Sequence, residues 1–190
     1  MKTLFLVSIC SLFAFAQPQN NIPDASVLRT KLPQSIVFND SIGVDQIKDI
    51  KQIPYIENCS DTIFWSLVQQ KGNVLELIEK LTDETILKEV YVPNFGGEYT
   101  VADVALVILK EKIEGIPVLN LIGQEFISSC GYCSYWSFVR EHKENRVQLQ
   151  KNLKKWYLEH KNTLVWIASE SALTGDCNSP AGGHYKISKE

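Results

Sequence analysis

The chain has 190 residues, 45% of them hydrophobic, with 19 Lys and Arg against 22 Asp and Glu for a net charge of −3. That length suits one domain with its own core and leaves little room for a second. An acidic balance argues against nucleic acid as a partner, and no stretch reaches the roughly 20 uncharged apolar residues that a membrane span needs.

Lys2, the apolar run Leu4 to Phe15 and the small-x-small triplet Ala14-Phe15-Ala16 form a secretory signal peptide over residues 1–16, with cleavage between Ala16 and Gln17. The mature protein is therefore expected to be exported, either periplasmic or extracellular. Bulky Ile9 before Cys10 argues against a lipoprotein. From Gln17 to about residue 52 the chain is polar, carries Pro18, Pro23 and Pro33, and shows no helical period, so it reads as a partly flexible lead-in. Ser35 to Phe38 is a candidate short strand within it. The globular body is expected over 53–190, as a single mainly helical domain.

Asn58 to Ser60 offer capping side chains before Ile63, Phe64, Leu67 and Val68, an apolar stripe that ends at Lys71-Gly72. Gly72 there suits a left-handed cap. Asn73 with Glu76 has capping-box spacing and opens a second helix through Val74, Leu77, Ile78 and Leu81. So short a connection predicts that the two helices pack as an antiparallel hairpin. Residues 84–98, with Pro93 and Gly96-Gly97, read as a loop or short extended excursion. Thr100 and Asp103 then form a capping box, with Tyr99 and Val104 placed as a hydrophobic staple. The helix they open is apolar nearly all round from Val101 to Ile113, which predicts burial between neighbours, and Gly115 and Pro117 end it.

Val74 to Asp83 followed by Thr100 to Leu109 resembles the junction of HEAT repeats, with an insertion between the helices and Ala102 where those repeats have Arg. The resemblance implies helical hairpins and a binding or scaffold role. The C-terminal two thirds, with Cys130-Gly131-Tyr132-Cys133, Leu153 to Tyr157 and Gly182-Gly183-His184-Tyr185, is similar to uncharacterised exported proteins of Bacteroidetes-type bacteria.

Residues 134–160 read as helical with a break near Glu144-Asn145. Tyr135, Trp136, Phe138 and Val139 form one apolar patch, and Leu149, Leu153, Trp156 and Tyr157 a second. Arg140, Lys143, Arg146, Lys151, Lys154, Lys155 and Lys161 read as a solvated basic face. Leu164 to Ile167 and Tyr185 to Ile187 are strand-like and are expected to pair as a small C-terminal β element.

Four cysteines remain after cleavage: Cys59, Cys130, Cys133 and Cys177. In an oxidising compartment they read first as two structural disulfides, with connectivity open. One joining Cys177 to Cys130 or Cys133 would tether the turn-rich tail and constrain the unfolded chain by about 3 to 4 kcal/mol. Second comes a thiol-disulfide oxidoreductase, with Cys130 as nucleophile and Cys133 as resolving thiol: the tetrapeptide resembles the active site of thioredoxin-type isomerases, and a helix start lowers a thiol's pKa. The segment before it lacks the βαβ lead-in of that fold. Third is a zinc site from Cys130, Cys133, Cys177 and His184. Hydrolase signatures are absent: His142, His160 and His184 are scattered, and Asp176, Ser179 and His184 read as turn chemistry. The sequence thus favours a non-catalytic binding or scaffold module needing no cofactor, with an unidentified protein or small-molecule partner.

Overall fold

The buried helix expected after Thr100 is the axis of the fold in the computed structural model, which describes residues 41–53, 61–92, 97–123, 135–168 and 182–188, all within the unit Ile36–Glu190. In chain order these are a 3-10 helix (Val44–Asp49), α1 (Thr62–Gln69), α2 (Val74–Glu79) continuing as a 3-10 turn (Lys80–Thr82), β1 (Ile86–Val92), β2 (Gly97–Thr100), α3 (Val101–Lys112), α4 (Val118–Ile122), a π-helical turn (Tyr135–Val139), α5 (Lys143–His160), β3 (Leu164–Ile167) and β4 (His184–Ile187). The described part is mainly helical, with two small antiparallel sheets, β1–β2 and β3–β4. No described helix is long and apolar enough to cross a membrane.

Every residue of α3 from Val101 to Leu109 is buried. Its capping box forms as its spacing predicts: the Asp103 amide donates to Thr100 Oγ1 at 3.4 Å, and the Thr100 amide donates to Asp103 Oδ2 at 2.8 Å. Tyr99 and Val104 are both buried, as a staple requires. α1, α2, the first 3-10 helix, β2 and β4 all pack on this one element. Burial of each aliphatic side chain in such a core contributes about 1.5–3 kcal/mol.

The segment expected to be polar lead-in adds to the core. Val44, Ile47 and Ile50 are buried, as is Ile53 at the expected start of the body. Val44 and Ile47 stand three apart inside the 3-10 helix, at the period of that helix, which a search for a 3.6-residue repeat passes over. Asp61 joins this segment to α1, because Oδ1 caps the Phe64 amide at 2.9 Å while Oδ2 accepts from the Lys51 amide at 3.0 Å. The residues expected to cap α1, Asn58 to Ser60, lie outside the described residues, and the cap observed is Asp61.

α1 and α2 meet chiefly through α3 and not through each other, so the expected hairpin between them is replaced by two helices laid on a third. Gly72 is not left-handed; α1 ends with Gln70 extended at φ −69°, ψ 117°. Nor does Asn73 make a capping box. Its Nδ2 turns back to donate to the Leu67 carbonyl at 3.0 Å. Lys112 Nζ donates to the Val68 carbonyl at 2.7 Å and also to that of Gln70. The C-terminal carbonyls of α1 are thus satisfied by tertiary partners, one of them cationic as the helix dipole favours.

Residues 84–98, expected as loop or extended excursion, contain most of an antiparallel hairpin, with Ile86 opposite Thr100, Tyr91 opposite Glu98 and an irregularity between. The break in the following helical stretch falls at Arg140 to His142, just ahead of its expected place. α5 buries a narrow stripe of Arg146, Leu149, Leu153 and Trp156. Its polar side chains serve the ends of other helices: Gln150 Nε2 donates to the Glu79 carbonyl at 2.9 Å, and Asn152 Nδ2 to that of Leu121 at 2.8 Å. β3 and β4 pair in the expected hairpin, Leu164 opposite Ile187 through Ile167 opposite His184. β4 also holds the end of α3, where the Glu114 amide donates to the Tyr185 carbonyl at 2.8 Å.

Candidate functional site

An acid in a helix otherwise apolar on every side must find partners or destabilise the fold. The Asp103 side chain is fully buried, and both of its oxygens are engaged. Oδ2 accepts from the Thr100 amide at 2.8 Å and the Thr100 hydroxyl at 2.7 Å, and lies 3.2 Å from Arg140 Nε. Oδ1 accepts from the Tyr135 hydroxyl at 2.7 Å and from Arg146 Nη1 at 3.2 Å. One carboxylate thereby joins α3, the π-helical turn and α5. Burial, followed by the Asp103 charge, pushes the Tyr135 hydroxyl well above the usual phenol range.

Arg140 and Arg146 belong to the stretch expected as a solvated basic face, and both leave it. Arg146 is 2% exposed. Arg140 lies over the Trp136 ring, 4.0 Å from its centroid, and hydrogen-bonds the Glu98 carbonyl. Trp136 stands edge-on to Tyr99 and Tyr135, with centroids 5.2 and 5.8 Å away. The sequence signal that would have found the pair is Asp103 itself: a buried carboxylate calls for cations, and the nearest arginines downstream are these two.

These residues floor an open cavity of about 600 Å³ between the β1–β2 hairpin and the start of α5. Thr100, Trp136, Arg140 and Arg146 line its inner side; Glu84, Glu98 and Glu141 stand exposed at its rim. The volume is in the range of small-molecule clefts.

Cys59, Cys130, Cys133 and Cys177 lie outside the described residues, as do Asp176, Ser179 and the signal peptide. The redox pair, the disulfides and three of the four zinc candidates therefore have no described geometry. His184, the fourth, opens β4, and its Nε2 is 3.2 Å from Glu114 Oε2. Lys186, and less strongly His184, hold the Glu114 carboxyl below its usual range. The other histidines sit on separate elements: His142 at the N-cap of α5, and His160 at its end, with its ring stacked on Trp156 at 4.9 Å. Among the described residues no three of His, Cys, Asp and Glu gather as a metal site.

Neither a family model, nor a curated protein, nor a solved structure matches the chain.

Proposed function

We propose that the chain is an exported binding or scaffold module without catalytic activity, and that its ligand occupies the cavity beside Asp103. The observation that carries this is the state of the cavity's floor. Acid–base catalysis needs a group that is both held in position and free to exchange a proton with substrate; the rim glutamates are exposed, and the positioned groups are those of the floor. Asp103 is saturated by four hydrogen bonds and an ion pair with Arg140, and the Tyr135 hydroxyl is spent on it. The site is built to hold shape and charge.

Two finer features go with this proposal. Direct packing of α2 on α3, with the β1–β2 hairpin as the insert, supports a HEAT-like relation between those helices. The four cysteines Cys59, Cys130, Cys133 and Cys177 act as two structural disulfides. Alkylation of the secreted protein with and without reductant counts them, and no free thiol is expected. A Cys130–Cys133 pair that cycles with mild thiol and reduces insulin would return the chain to the oxidoreductase reading.

The direct test is hydrogen exchange on the secreted protein with four probe sets: amino acids and short peptides, sugars, nucleotides and fatty acids. One set should slow exchange in residues 84–100 and 135–146 and be recovered chemically unchanged. Turnover of the bound compound, or no protection by any set, overturns the proposal.

A further inference from the structure

The two guanidiniums on Asp103 are not in the same state. Arg140 is held on three sides, with Nε on Asp103 Oδ2, Nη2 on the Glu98 carbonyl, and its plane on Trp136. Arg146 uses Nη1 alone, toward Asp103 Oδ1 and, at 3.3 Å, the Tyr135 hydroxyl. Among the described residues its buried Nε has no hydrogen-bond partner and Nη2 bonds none. Glu84 Oε1 stands 3.8 Å from Nε, beyond hydrogen-bonding range, on a side chain 51% exposed.

An unused Nε/Nη2 edge has a defined complement. It presents two parallel N–H donors at the spacing of a carboxylate's oxygens. Here it belongs to a buried side chain that borders a cavity, so water competes weakly for it. The rim has the opposite sign. Glu98 and Glu141 are exposed and form no ion pair among the described residues, and among those residues the basic side chains lining the cavity are the two already on Asp103. A phosphate dianion would meet three carboxylates on its way in, and a neutral sugar would leave the guanidinium edge without a charge partner. A carboxylate with a cationic group some distance behind it satisfies both ends.

The geometry points to a zwitterionic ligand, a free basic amino acid or a short peptide, whose carboxylate docks on the Nε/Nη2 edge of Arg146 in place of Glu84 and whose ammonium lies at Glu98 and Glu141. This rests on the binding function proposed above and names its ligand class.

Titration calorimetry with L-lysine, lysyl-lysine, L-lysinamide and hexanoate tests it on the full mature chain. L-lysine or lysyl-lysine should saturate wild-type protein, and the stronger of the two identifies free amino acid or peptide as the source. Amidation of the carboxylate should weaken binding by about tenfold or more, the worth of a bidentate charge-assisted pair. Glu84→Gln removes the internal competitor and should tighten the carboxylate probes several-fold. The double substitution Glu98→Gln/Glu141→Gln should weaken lysine while leaving hexanoate unchanged. All three glutamates are exposed, and unchanged unfolding midpoints verify that the variants fold. Equal affinity for lysine and lysinamide overturns the assignment, as does no tightening in Glu84→Gln. Protection of the cavity by sugars, nucleotides or fatty acids, with no saturation by lysine or lysyl-lysine, overturns the ligand class and leaves the binding function standing. No binding of any probe set overturns both.

Discussion

Replacing Asp103 by Asn tests whether one buried carboxylate holds three elements together. The amide keeps the size of the side chain and removes its charge, and its Nδ2 must point a donor at groups that are themselves donors: Thr100, Tyr135, Arg140 and Arg146. Arg140 keeps about a fifth of its side chain in water and can rehydrate. Arg146, 2% exposed, cannot. The cost is therefore set by a buried cation left with only Glu84 at 3.8 Å, about 3–5 kcal/mol, while the Thr100 cap stays in place because the amide of residue 103 still donates to Thr100 Oγ1. Against a total stability of about 5–15 kcal/mol for a domain, urea unfolding should show a large drop in midpoint. Arg146→Met removes the stranded cation while keeping a long apolar stem. In the double variant Asp103→Asn/Arg146→Met the loss should fall short of the sum of the singles by at least about 1.5 kcal/mol. A loss below about 1 kcal/mol for Asp103→Asn, or strict additivity in the cycle, would refute the hub.

Tyr135→Phe removes one hydrogen bond to a charged acceptor and should cost about 1.5–3 kcal/mol in the same assay; no loss would mean that the hydroxyl is dispensable to Asp103. Burial pushes the Lys112 ammonium down to about 7, whereas an unfolded lysine titrates near 10.4. Between those values the unfolded chain binds one more proton than the folded one, so this group makes stability rise with pH from about 7 toward 10 and leaves it flat below. Lys112→Met should abolish that rise, and an identical pH profile for the two proteins would count against it. Gly183 sits at φ +146°, and a Cβ there would meet the Ile167 carbonyl and the Trp166 ring at 2.6 Å. Gly183→Ala should destabilise the β3–β4 hairpin by about 1–3 kcal/mol, read as faster hydrogen exchange at residues 164–167 and 184–187, and unchanged exchange would contradict the close approach.

Much of the fold was legible because its signals are local. The capping box puts donor and acceptor three residues apart, so Thr100 and Asp103 announce the start of α3 whatever surrounds them. The all-round apolar character of α3 likewise foretold its burial, and the pairing of 164–167 with 185–187 followed from β-favouring runs around a turn-rich link, the structure adding His184 to the second strand. The 3-10 helix was missed because its apolar residues recur every three positions, and the β1–β2 pairing because Pro93 and Gly96-Gly97 made the segment read as a loop or short extended excursion with no partner strand. Asn73 was misjudged for another reason. Its spacing to Glu76 suits a cap, yet the open Leu67 carbonyl of the preceding helix took its side chain.

What the amino-acid order determined alone was most of the helices, the C-terminal strand pair, an acidic charge balance, and an acid at the capping position of the central helix. Only the tertiary structure decided what that acid holds. Arg146 reaches Asp103 across 43 residues, and Lys112 reaches the end of α1 across 44. A cap closes within one turn of backbone and is written in the spacing, but the partner of a buried charge is whichever side chain helix packing carries to it, and no periodicity records that.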